Sequence, residues 1–202
     1  MSLKITLSIL IAYLLGSIPT AYIVGRLKAG LDITQHGSGN VGGTNALRVL
    51  GVGPAILVAV SDISKALLPT LIASRVFEGN TWPTLAVALA AILGHNYSAF
   101  LRLRGGKGIA TTVGACIVLF PRQIAVLLLL ALLVVLATRY VSLGSIVLVL
   151  TLPLLLSWQH ASLPEISFAV AVALLGLWRH RSNITRLLGG TENRLGRKKQ
   201  NS

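Results

Sequence analysis

Three polar stretches of the chain carry the residue types that hold phosphate oxygens. The first, HGSGNVGGTN at 36–45, brings Ser38, Asn40, Thr44 and Asn45 together with Gly37, Gly39, Gly42 and Gly43, and Arg48 follows closely. The second, RGGKG at 104–108, sets Arg104 and Lys107 among Gly105, Gly106 and Gly108, just ahead of an apolar run that begins at Ile109. Glycines let backbone N–H groups approach an anion, and a helix that starts after such a loop points its positive dipole end at the same place. An ordinary interhelical turn uses glycine and asparagine too, but it does not need this density of donors and cations. The second stretch is not a Walker A loop, because Gly108 follows Lys107 where a Ser or Thr would hold magnesium. Nucleotide hydrolysis is therefore disfavoured. In the third stretch, HRSNITRLLGGTE at 180–192, a continuing helix puts His180 and Asn183 on one face, a titratable and an amide group aimed the same way. Glu192 is one of only five acids and is expected to play a structural part by pairing with a nearby arginine.

The elements that must position these residues are set by composition. The chain has 202 residues, of which 54% are hydrophobic and 11% charged, far from the norm for a water-soluble domain. Its surroundings are a bilayer. Seven apolar spans are expected, at about 5–25, 52–75, 82–100, 107–121, 123–138, 141–158 and 164–178, mostly near the ~20 residues that cross a ~30 Å core. The expected fold is an all-α integral membrane protein with one polytopic domain over 1–202, whose basic tail at 179–202 contributes a site motif. Trp82, Tyr140, Trp158 and Trp178 fall at span edges, where amphipathic rings sit.

Lys and Arg are retained on the cytoplasmic side, so alternate loops report orientation. One set holds Arg26, Lys28 and Arg48, then Arg102, Arg104 and Lys107, then Arg139, then a tail with Arg179, Arg181, Arg186, Arg194, Arg197, Lys198 and Lys199; the other holds Lys4, Arg75 and Arg122. The N-terminus is therefore expected outside and the C-terminus in the cytoplasm. This topology puts both glycine stretches and the start of the tail on one membrane face, where they are able to form one site. The net charge of +13 then reflects orientation and anionic partners; no nucleic-acid-binding motif or aromatic stacking platform accompanies it.

Four histidines stand far apart and Cys116 is the single cysteine, which supports neither a metal site nor a disulfide framework. Asp62 and Lys65, three apart in the second span, are expected to neutralise each other in a structural pair. In GSIPTAY at 16–22, Pro19 loosens the first span and the Ser17 hydroxyl is available to backbone groups that the proline frees.

GSIPTAY, GSGNVGGTN, GHNYSAFLRLRGGKGIAT and HRSNITRLLGGTE, in this order, resemble the bacterial acyl-phosphate:glycerol-3-phosphate acyltransferases, the PlsY family, from about residue 16 to 192. Gly43 stands where that family usually has alanine, and Leu103 and Arg104 where it more often has Phe and Lys. The resemblance implies acyl transfer from acyl phosphate to the 1-hydroxyl of glycerol 3-phosphate, giving lysophosphatidate and inorganic phosphate in phospholipid synthesis. It implies a bacterial inner-membrane enzyme; with the orientation read from the cations the active site is expected on the cytoplasmic face, and a monomer among membrane lipids, without metal or cofactor, is expected. It also favours Ser38, Arg48 and Lys107 around glycerol 3-phosphate. None of the four histidines has Asp five positions on, so the HxxxxD base of thioester-using acyltransferases is absent.

The residues support the same chemistry. Each substrate phosphate carries about −1.5 to −2 charge, so two anion sites are needed. Ser38, Arg48 and the 37–44 backbone offer one wall, the 105–108 loop with Lys107 a second, and His180 with Asn183 a third. An acyl phosphate has a good leaving group, and the enzyme has mainly to position the reactants and neutralise developing charge. His180 or a substrate phosphate, with a second pKa near 6, takes the proton of the attacking hydroxyl; substrate assistance is preferred, with His180 as binder. Two other classes would use similar parts. An organic-phosphate transporter would gather its polar residues at the midplane, and a lipid-binding scaffold would have no use for two glycine loops.

Overall fold

Pro19 organises the start of the chain. It supplies no N–H to a helical ladder and holds Ile18 extended, so the first apolar run divides into α1 (Leu3–Ser17) and α2 (Thr20–Ala29). The structure is a computed structural model that describes residues 2–78 and 80–196; Arg197, Lys198 and Lys199, counted above in the basic tail, lie outside the described residues. The carbonyls freed at the break are satisfied from other helices. The Ser98 hydroxyl donates to Ser17 O at 2.5 Å and Lys65 Nζ donates to Ile18 O at 3.0 Å, whereas the Ser17 hydroxyl has no hydrogen-bond partner among the described residues. The repair thus comes from residues 47 and 81 positions away, not from the neighbouring serine.

The chain continues through α3 (Gly43–Leu50), α4 (Val52–Val76), α5 (Thr81–Asn96), α6 (Ile109–Leu119), α7 (Pro121–Thr138), α8 (Val141–Trp158) and α9 (Leu163–Leu188). Among the described residues every regular element is helical, as expected of a bilayer protein that must satisfy its backbone within each segment. Among the described residues five helices are long and apolar enough to cross a membrane: Leu3–Ala29 taken as one span, Val52–Val76, Thr81–Leu101, Pro121–Thr138 and Val141–Trp158. Of the two remaining expected spans, α6 has 11 residues, about 16 Å at 1.5 Å each, and α9 carries Glu165 near its start and Arg179, His180 and Arg181 in its second half.

The described residues fall into two compact units, one ending at Pro121 and one beginning at Arg122. In the first, α1 packs on α5 and α4 on α6. A Cβ on Gly16 would run into the Ala91 carbonyl, one on Gly94 into that of Tyr13, and one on Gly114 into that of Ile63. These glycines let backbones meet at close range, the usual means of helix association where lipid removes most of the hydrophobic drive. In the second unit α8 packs on α9, with Gly176 against Val149. Pro164 and a capping box between Ser162 and Glu165 start α9. Leu128, Leu129, Leu132, Leu133 and Leu136 of α7 are exposed, as a lipid-facing surface requires.

Candidate functional site

The first glycine stretch is moulded around Asn45, which is 1% exposed. Its Oδ1 accepts from Ser38 N at 2.8 Å, and its Nδ2 donates to His36 O at 3.0 Å and to Ile33 O at 3.3 Å. Gly37 adopts a left-handed φ of 63°, and a Cβ there would strike the Asn45 Oδ1. Both N–H groups of this amide are spent on the loop, so Asn45 is its strut, and Ser38 N is committed to it. Just ahead, Asp32 Oδ1 accepts from Thr34 Oγ1 at 2.7 Å and Thr34 N at 3.0 Å, and Arg26 lies 3.5 Å away. These bonds, chiefly that from the Thr34 hydroxyl, hold the Asp32 carboxyl below its ordinary pKa. The groups the loop presents outward are the exposed Ser38 and Arg48, the partly buried Asn40 and Thr44, and the N-terminus of α3 at Gly43.

The second stretch rests on the end of α5. The Gly106 N–H donates to His95 O at 3.0 Å, and a Cβ on Gly105 would meet Asn96 O at 2.6 Å. Gly108, with φ 80°, caps α6, and a Cβ there would meet the Asn96 Oδ1 at 2.5 Å. Upstream, Arg102 and Leu103 take left-handed φ values of 52° and 61°, and Leu103 N donates to Ser98 O at 2.9 Å. The result is a tight turn that delivers Gly105–Gly108 to the start of α6, with Lys107 partly buried and Arg104 exposed. His95 and Asn96, 5% and 1% exposed, are the residues that sequence reasoning missed here. They lie inside the quoted motif, and its glycines read as anion ligands without showing what they are pressed against.

In the second unit α9 runs on to Leu188, so His180 and Asn183 share one helical face; both are buried, at 2% and 4% exposed. The His180 Nδ1–H donates to Gly176 O at 2.8 Å, which leaves the lone pair of a neutral ring on Nε2. Asn183 Nδ2 donates to Glu192 Oε1 at 2.8 Å; the same oxygen accepts from Ser142 Oγ at 3.0 Å, and Oε2 accepts from Arg186 Nε at 2.7 Å. Burial pushes the Glu192 carboxyl up, but the hydrogen bonds from Asn183, Arg186 and Ser142, with the Arg186 charge, outweigh it and leave the group below its ordinary pKa. Glu192 therefore stays ionised near neutral pH and fixes which end of the Asn183 amide faces away. The tail is tied down as well, with Leu195 N on Arg139 O at 2.7 Å and Arg194 on the Tyr140 hydroxyl at 3.0 Å.

Asp62 and Lys65 do form the expected pair, at 2.8 Å. Among the described residues no three His, Cys, Asp or Glu side chains gather as metal ligands. The first unit thus holds both glycine loops, one with Ser38 and Arg48 and one with Arg104 and Lys107, and the second brings together His180, Asn183 and Glu192.

A family profile described as glycerol-3-phosphate acyltransferase matches residues 6–190. Similar curated proteins include glycerol-3-phosphate acyltransferase 2 of Moorella thermoacetica, 45% identical over 94% of this chain and 97% of that one. A glycerol-3-phosphate acyltransferase of Thermus thermophilus is 46% identical over 94% of each chain. Among solved structures, the glycerol 3-phosphate form of PlsY (YgiH), an integral membrane glycerol 3-phosphate acyltransferase, superposes with a TM-score of 0.92 at 38% identity over 96% of both chains. The lysophosphatidic acid form of the same enzyme gives 0.88 at 36% identity.

Proposed function

The chain belongs to the glycerol-3-phosphate acyltransferase family, as a membrane enzyme of phospholipid synthesis, and we propose that it takes its acyl group from an acyl phosphate. The observation that carries the donor assignment is the second glycine loop. Its glycines are pressed against His95 and Asn96, where no Cβ fits, and it offers Lys107 and the dipole of α6 to a phosphate leaving group. The product pair is then lysophosphatidate and inorganic phosphate. The 1-hydroxyl oxygen of glycerol 3-phosphate bonds to the acyl carbon, the bond from that carbon to the phosphate oxygen breaks with its electron pair leaving on phosphate, and the hydroxyl proton passes to a phosphate oxygen.

The Ser38 hydroxyl, Arg48 and the backbone of 40–44 bind phosphate at the first loop, with Asn45 holding that loop in shape. Arg104 and Lys107 supply charge at the second. His180 and Asn183 bind and orient substrate, Glu192 sets the Asn183 amide, and no acyl-enzyme forms. The groups present serve this scheme without metal or cofactor, and the acyl chain lies in the lipid beside a monomeric enzyme.

We read the seven apolar helices as seven crossings of the bacterial inner membrane, N-terminus outside and C-terminus cytoplasmic, with the active site on the cytoplasmic face. The short α6 completes its crossing if the 105–108 loop lies below the membrane surface, a placement that the burial of Gly106 and Gly108 supports. Single cysteines placed at Asn40, Arg104 and Asn193 in a Cys116→Ser background test this. An impermeant thiol reagent applied to intact cells is expected to label none of them and, after the membrane is opened, all three. Labelling of any one from outside overturns the orientation.

A further inference from the structure

The Asp62–Lys65 pair in α4 ends on a residue that shapes the second glycine loop. Asp62 is 1% and Lys65 9% exposed, and Lys65 also donates to Ile18 O at the break between α1 and α2. On its other side Asp62 Oδ1 lies 3.7 Å from His95 Nδ1, and beyond the ion pair with Lys65 neither carboxylate oxygen has a hydrogen-bond partner among the described residues. The far edge of the same imidazole faces Gly106, where any Cβ would run into Nε2, and the His95 carbonyl accepts the Gly106 N–H at 3.0 Å. One ring is therefore gripped between a buried carboxylate and the backbone of the GGKG loop. An ion pair that served only to neutralise itself would not need the carboxylate oriented towards that ring. We propose that Asp62 and Lys65 are positioning residues for the acyl-transfer reaction, holding the His95 ring and through it the Gly105–Gly108 backbone in phosphate-binding geometry.

The inference rests on reading that loop as a phosphate cradle. Its geometry has little tolerance, since a misplacement of about 1 Å at a binding group costs up to roughly hundredfold. Lys65 fixes Asp62, the Asp62 carboxylate faces Nδ1 of His95 across 3.7 Å, and the opposite edge of the ring sets where Gly106 stops.

The test is the double variant Asp62→Asn/Lys65→Met in purified full-length enzyme, with Lys107→Ala beside it. Replacing a buried pair by uncharged groups of similar size is often neutral for stability, so a pair that only neutralises itself predicts wild-type kinetics. The expected result is a thermal midpoint near wild type with the KM for a phosphate substrate, and the inhibition constant for inorganic phosphate, raised roughly tenfold or more. Constants within twofold of wild type, in a preparation where Lys107→Ala is impaired, overturn the positioning role and leave the cradle standing. An unimpaired Lys107→Ala overturns the cradle itself and the inference with it. If the double variant does not fold, His95→Phe decides: it keeps a ring against Gly106 and removes the link to Asp62. The same rise in KM is expected, and unchanged constants overturn the proposal.

Discussion

His180→Ala and Asn183→Ala are each expected to lower kcat/KM by at least roughly hundredfold, the usual cost of removing one preorganised hydrogen-bonding group from a reacting centre. The informative variant is His180→Asn. With its Nδ1 proton given to Gly176 O, a neutral ring carries an acceptor at Nε2, and an asparagine amide supplies an acceptor oxygen in place of that nitrogen. If His180 binds and orients, His180→Asn keeps a measurable rate and the acid limb of the kcat profile persists, because that limb belongs to a substrate phosphate with a second pKa near 6. If the imidazole is the general base, the rate falls to that without enzyme. The expected outcome is residual turnover with the acid limb retained. A folded His180→Asn enzyme that binds both substrates yet has no rate above background would assign the proton to the histidine.

Lys107→Ala is expected to remove a charge-assisted contact of about 1.5–3 kcal/mol, or roughly ten- to hundredfold in kcat/KM, with the protein still folded. The loop keeps its shape without the side chain, because Gly106 is held by His95 O and Gly108 by its left-handed turn against Asn96. The loss should therefore fall on phosphate recognition and not on the thermal midpoint. Steady-state kinetics at limiting substrate, with melting curves of the detergent-solubilised protein, measure both. An unaltered rate would leave GGKG as a loop that only marks membrane orientation.

Local pattern made the helices, the break at Pro19 and the shared face of His180 and Asn183 legible, because each depends on residues within one or two turns. The 3.6-residue period places positions 180 and 183 together whatever else the chain does. What the sequence hid is long-range. Asn45 looks like one more donor in a glycine loop until its amide is seen turned inward onto Ser38, His36 and Ile33. Lys65 looks like half of an i,i+3 pair until its second bond to Ile18 O is traced 47 residues back along the chain. Glu192 was expected beside an arginine, but local spacing could not show that Ser142, fifty positions away, would share its carboxylate. His95 carried no signal at all beyond standing in the motif, since its role comes from lying under Gly106. The spans were harder to delimit for a related reason. The eleven residues of α6 and the charged half of α9 do not resemble free-standing membrane helices, because glycine loops and site residues occupy the ends where apolar residues would otherwise be.

Recognition of the acyl donor by its phosphate is what separates the proposed function from thioester-dependent acyl transfer. Its most direct test is the initial rate of lysophosphatidate formation from labelled glycerol 3-phosphate by the purified protein, using one acyl chain presented in parallel as acyl phosphate, as acyl-CoA and as acyl carrier protein thioester. Turnover with acyl phosphate, one inorganic phosphate released per product, and background rates with both thioesters are the predicted results. A comparable rate with either thioester would contradict the account.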